Sequence, residues 1–133
     1  MGYLLDTNIV SAIIKNDPRV IDRLMTLDLR SQVAISAVTY YECKRGILAK
    51  FSQRQLDGFN NFCQVVEILP ITHPEIVEIA SEIYADLRRR GCLIQDADIL
   101  IAATAIARKF VLVSNDSDLA RVVGLPLENW LVA

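Results

Sequence analysis

The chain has 133 residues, 53% of them hydrophobic and 23% charged, and its formal net charge is −2. That length fits one domain over residues 1–133, and the composition excludes a disordered chain. No apolar run approaches the roughly 18–20 residues of a membrane span, and 14 basic against 16 acidic residues give no pointer of their own to a nucleic-acid partner.

The first predicted element is a strand at Tyr3-Leu4-Leu5 that stops on Asp6, followed by Thr7 and Asn8 before apolar Ile9 and Val10. Val20, Leu24 and Leu27 mark a short helical stripe opening near Pro18, a residue suited to a first helical turn. Val33-Ile35 reads as a second strand, and Ser36 as the N-cap of a helix running to about Lys50. Leu56, Phe59 and Cys63 support another helix, and Val65-Leu69 a third strand. Ile76, Ile79, Ile83 and Leu87 form one apolar face from about residue 74 to 90. Residues 97–107, "ADILIAATAIA", are apolar on nearly every face except at Asp98 and Thr104, the pattern of a buried central helix. Phe110-Val113 is a further strand. Strands alternating with helices predict an α/β sheet, parallel, with helices on both faces.

Ligands of open α/β sheets bind beyond the carboxyl ends of the strands. Asp6 ends the first strand and Asp116 follows the strand at Phe110-Val113, so two acids leave the sheet by one edge. Asp96 and Asp98 open the buried helix about 200° apart around its axis, so they cannot point the same way. The expected division makes Asp96 the cap and turns Asp98 to the site. Glu42 lies among Tyr40, Tyr41 and Cys43, where an acid needs a partner or a metal. Asp118 is expected to cap the short helix toward Arg121. Beside the other acids, Asp6 reads as a site residue and not as a helix cap. Clustered carboxylates stay ionised only with a counter-charge, and all-oxygen ligands select a hard cation, Mg²⁺ or Mn²⁺. Such a site activates a water against a phosphodiester.

Several motifs resemble those of PIN-domain ribonucleases, specifically VapC-type toxins of bacterial toxin–antitoxin pairs. "LLDTN" places the family's first acid at Asp6. "TYYECKRG" resembles the helix with a Glu followed four residues on by Gly, here Glu42 and Gly46. "DADILIAATA" puts the third acid at Asp98, with Asp96 accessory. "LVSNDSDL" puts the fourth at Asp116, with Ser114 at a position where a hydroxyl residue is usual; Asp118 is the alternative fourth acid. "GLPLENW" resembles the last strand. The resemblance spans essentially the whole chain. It implies a PIN-like three-layer α/β/α fold with a parallel, roughly five-stranded sheet, and Mg²⁺- or Mn²⁺-dependent cleavage of RNA. It also implies a homodimer silenced by a cognate VapB-type antitoxin.

On this reading Asp6, Glu42, Asp98 and Asp116 are catalytic and metal-binding, with Thr7, Asn8 and Ser114 orienting carboxylates or water. Setting those four acids aside changes −2 to +2, and the candidates for meeting an RNA backbone are Lys44 and Arg45 beside Glu42, then Lys50, Arg54 and the run Arg88-Arg89-Arg90. Arg88-Arg89-Arg90 reads first as a solvated helix terminus complementing the macrodipole. His73, before Pro74, reads as a capping or surface residue. Three scattered cysteines (Cys43, Cys63, Cys92) read as reduced thiols, and the first residues lack the pattern of a secretory signal. A cytoplasmic location follows as an expectation. Two rival readings remain: a PIN-fold component of a repressor complex that acts by binding, and an Asp-based receiver or phosphatase-like module. The latter lacks the usual second Asp two residues after the first, because Asn8 stands there.

Overall fold

The computed structural model describes residues 1–132, and its element order is that of an alternating α/β chain. Strand β1 (Gly2–Leu5) leads directly into α1 (Thr7–Ile14), followed by α2 (Pro18–Met25), β2 (Gln32–Ser36) and α3 (Ala37–Lys50). Then come α4 (Gln53–Cys63), β3 (Glu67–Leu69), α5 (Pro74–Arg89), α6 (Asp96–Arg108), β4 (Val111–Val113) and β5 (Leu127–Glu128). A short 3₁₀ turn, Ser117–Arg121, sits between the last two strands. Among the described residues no helix is long and apolar enough to cross a membrane.

All strand pairings are parallel, in the order β3-β2-β1-β4-β5. Every residue of β1 is buried, as a central strand covered on both faces must be. Alternation splits its side chains between two cores. Leu4 packs with Ile76, Leu87, Ile101 and Leu112 under α5 and α6. Leu5 packs with Ile9, Ile35, Phe59 and Val113 under α1 to α4. Helix α6 buries Ile99 and every residue from Ile101 to Ala105, so the expectation of a central apolar helix holds.

The chain runs outward from β1 to β2 and β3 and then returns to lay β4 on the other side of β1. The carboxyl ends of β1 and β4 therefore flank the topological switch point, where a crevice opens by construction.

Four details differ from the expectations. The third strand is shorter, because Val65 and Val66 precede it and Val65 is exposed. Asp96 is not the cap of α6. Gln95 holds that place without a side-chain hydrogen bond, and Asp96 is the first helical residue. Capping follows from backbone dihedrals, and here the extended residue falls one position earlier. Asp118 likewise does not cap the turn that follows it. Asp116 does, accepting from the Asp118 backbone N–H at 2.9 Å, while Asp118 pairs with Arg121 at 3.1 Å. Asp6, finally, is a cap after all: it is extended (φ −78°, ψ 166°) and its Oδ1 accepts from the Thr7 backbone N–H at 2.8 Å. A residue ending a strand at the carboxyl edge and starting a helix at once occupies both positions, so cap and site are not alternatives. Ser36 and His73 cap α3 and α5 as expected.

Candidate active site

Asp6 is buried at 3% exposure, and its backbone is fixed by an N–H donated to the Val113 carbonyl at 2.9 Å. Its second carboxylate oxygen accepts from the Ser114 hydroxyl at 2.6 Å. Register makes this contact: Leu5 stands opposite Val113, so the next residues, Asp6 and Ser114, leave neighbouring strands side by side. Ser114 Oγ in turn accepts the Asp116 N–H at 3.0 Å. Asn8 bridges the same crevice, its Oδ1 accepting the Asn115 N–H at 2.9 Å and its amide lying 3.4 Å from Ser114 Oγ.

Glu42 enters from α3. Thr7 Oγ1 donates to its Oε1 at 2.8 Å, tying the first turn of α1 to the middle of α3. Arg45 stands one turn on, with Nη2 3.9 Å from Glu42 Oε2 and its guanidinium over the Tyr41 ring. Lys44 sets its ammonium over the Tyr40 ring, which packs tilted against Phe59. Asp98 occupies the first turn of α6 and faces the other acids. Asp96, exposed, lies on the α5 side with Val77 and Tyr84, apart from them.

The electrostatics report the convergence. Burial raises the Asp6 carboxyl above its ordinary value, and the charges of Glu42 and Asp116 add to this against the lowering by Ser114 and Thr7. Asp98 is pushed up to about 6, by burial first and then by the charges of Asp6, Asp116, Glu42 and Asp118. Asp116 thus bears on both Asp6 and Asp98, and Asp118 on Asp98 alone. Among the described residues no three acids yet close on one ion-sized point. The charges of Glu42 and Asp116 reach both Asp6 and Asp98 and oppose the ionisation of those two, the arrangement that a divalent cation relieves.

Thr7 is the contact that holds Glu42 toward this crevice. Thr7→Val keeps the shape and removes the hydroxyl, and RNA cleavage is expected to fall about tenfold, the lower end for lost orientation of a ligand. Thr7→Ser restores it. Equal rates in Thr7→Val and wild type would remove Thr7 from the assignment.

A family model described as the PIN domain matches residues 3–125. The chain belongs to the PIN-domain family. Among PIN domains it is 32% identical to Ribonuclease VapC2 of Rickettsia felis, over 98% of both chains. It is 29% identical to the tRNA(fMet)-specific endonuclease VapC of Shigella flexneri, again over 98% of each. The fold superposes with a TM-score of 0.89, at 29% identity, on a chain from the crystal structure of R. felis VapBC2 bound to a DNA fragment from their promoter, covering 98% of this chain and 99% of that one. PIN-domain nucleases generally use divalent metal ions, and the donors available here, carboxylate and hydroxyl oxygens at the β1/β4 switch point, suit a hard cation.

Two features of this PIN domain escaped the sequence reading. One is the hydrogen-bond chain Asp6–Ser114–Asp116, which depends on the pairing of strands more than 100 residues apart. The other is the polar flank that Thr7, Ser11 and Lys15 give α1. The four-residue spacing of Glu42 and Gly46 was legible, but the matching Thr7, Ser11 and Lys15 were not, because α1 is only eight residues long and shows barely two turns of its period.

Proposed function

We propose that this chain is the ribonuclease toxin of a VapBC-type pair, cleaving RNA phosphodiester bonds with Mg²⁺ or Mn²⁺ and held silent by a cognate VapB-type antitoxin. The observation that carries the reading is that Asp6 and Asp98 both stand in the field of Glu42 and Asp116 at the switch point of a PIN fold. When bound, the metal supplies positive charge on the scissile phosphate and lowers the pKa of a water for attack. Asp6, Glu42 and Asp98 would hold it, and Asp116 would complete the set. Ser114 and Thr7 orient the carboxylates of Asp6 and Glu42. Arg45, beside Glu42 and exposed, is placed to meet a phosphate; Lys44, turned toward Tyr40, is a weaker candidate. Arg90 is already engaged with Asp86 and the Arg121 carbonyl, which leaves the arginine run a helix terminus. The homodimer belongs to the proposal, and exposed Val77 and Tyr84 on the α5–α6 layer are the surface it would use.

Purified protein, free of its partner, is expected to cut single-stranded RNA with Mg²⁺ or Mn²⁺, to stop on addition of EDTA, and to resume when the ion is restored. Cleavage that persists in EDTA sinks the metal assignment. The likeness to a promoter-bound VapBC2 complex supports a second role, as part of a DNA-bound repressor when the antitoxin is present. The two roles are compatible, since one belongs to the free chain and the other to the complex.

A further inference from the structure

A groove leaves the acidic crevice between α1 and α3. Thr7, Ser11 and Lys15 line one wall at i, i+4 spacing, and Glu42, Gly46 and Lys50 line the other at the same spacing. The Thr7–Glu42 hydrogen bond marks its acidic end. Eight residues on, about 12 Å along each helix, the walls end on two lysines. Both are exposed, and neither ammonium makes a hydrogen bond or ion pair among the described residues, where five other cations are paired.

Gly46 is the second observation. It lies inside a 14-residue helix, where glycine is less stable than alanine, and its φ is not among the positive ones. A Cβ built on it meets nothing within 4 Å. Neither backbone nor packing asks for glycine here. What a side chain at this position would occupy is the groove itself.

We infer that this groove carries the RNA strand away from the scissile bond, with Lys15 and Lys50 holding a phosphate beyond the one being cut, and Gly46 leaving the helix bare so that the strand can lie against it. The inference rests on the ribonuclease reading. The groove runs from carboxylates, which suit a cation, to unpaired ammonium groups, which suit an anion. A phosphodiester strand with one phosphate at the acidic end and the next ones farther along matches that polarity.

The test measures binding of a labelled single-stranded RNA of about 12 nucleotides across a salt series, in an Asp98→Asn background that does not cut. Lys15→Gln/Lys50→Gln is expected to make the slope of log affinity against log salt shallower by about 1.4, from about 0.7 per single-strand phosphate contact, and to cost about tenfold in affinity near 0.15 M salt. Lys109→Gln, at the C-cap of α6 on the other face of the sheet, controls for the loss of a positive charge and should leave the slope alone. Gly46→Leu should cost a similar factor by keeping the strand from both lysines, without lowering the melting temperature. An unchanged slope in the lysine variant, an equal change in Lys109→Gln, or parental affinity in Gly46→Leu overturns the inference and leaves the groove to a partner protein. The parent with Asp98 intact is assayed on the same RNA in Mg²⁺. If it does not cleave, the ribonuclease reading fails; if it cleaves while the slopes stay fixed, only the groove assignment fails.

Discussion

Asp98→Asn is expected to abolish RNA cleavage and, at the same time, to make the metal-free protein harder to unfold at pH 7.5. The loss in kcat should reach at least about 10³-fold, because a ligand that places the cation contributes several kcal/mol of transition-state stabilisation. The gain in stability follows from the Asp98 carboxyl, which is pushed up to about 6 by burial and by the surrounding acids from an ordinary 3.8. Between those values the folded chain holds this proton more tightly than the unfolded one does. The stabilisation tied to Asp98 is therefore complete below about pH 4 and is lost as the pH rises through about 6. Above that the ionised carboxylate works against the fold. A shift of this size would be worth about 3 kcal/mol for a fully shielded group, and partial exposure cuts it to about 1–2 kcal/mol. Asparagine keeps the shape without the charge. In thermal melts without divalent ions at pH 7.5 the variant should unfold about 3–8 °C higher than wild type, and at pH 4 the two should coincide. Added Mg²⁺ should raise wild type more than the variant. Wild-type cleavage by Asp98→Asn, or a lower melting temperature at pH 7.5, would remove Asp98 from the proposed site.

On this proposal the same residue weakens the fold and serves the chemistry, and its place in an apolar helix is what makes it visible in the sequence. Asp98 breaks an otherwise apolar run, and nothing local repays it; Glu42 is conspicuous among Tyr40, Tyr41 and Cys43 for the same reason. The major strands and helices were legible because their apolar residues keep a period of 2 or 3.6. Helix α1 was less so, since "TNIVSAII" is only eight residues and lies under the sheet with three of them buried. Strand β5, two residues long, has no period at all and came into view only through resemblance to a family. Strand order is a property of distant pairings. It decides that Asp6 meets Ser114, and no local pattern could supply it. The misplaced caps share one cause. Asp96 and Asp118 each have a neighbour within two positions that can take the cap, and the backbone dihedral chooses between them.

Ser114→Ala is expected to cost about 10- to 100-fold in activity, the usual consequence of removing the partner that orients a metal ligand. The hydroxyl does two jobs at once in a buried position. It donates to Asp6 Oδ2 at 2.6 Å and accepts the Asp116 N–H at 3.0 Å, so one atom sets the distance between two of the four acids. Without it, Asp6 Oδ2 keeps only a long contact of 3.5 Å to the Asn8 amide, and the Asp116 N–H has no acceptor from this residue. A purely structural serine would lower the yield of folded protein and leave the pH profile in place. Ser114 lowers the Asp6 carboxyl against the burial that raises it, so its loss moves Asp6 further up. The acid limb of the pH–rate profile should shift to higher pH. The deficit against wild type should accordingly be larger at the acid end of the profile than at its alkaline end. More Mg²⁺ should be needed for half-maximal rate, because a carboxylate that holds a proton more tightly yields it to the metal less readily. Ser114→Thr restores the hydroxyl and should return both the profile and the metal requirement toward wild type. A Ser114→Ala enzyme that loses activity by the same factor at every pH, with an unchanged Mg²⁺ requirement, would show that Ser114 supports the fold and does not position Asp6.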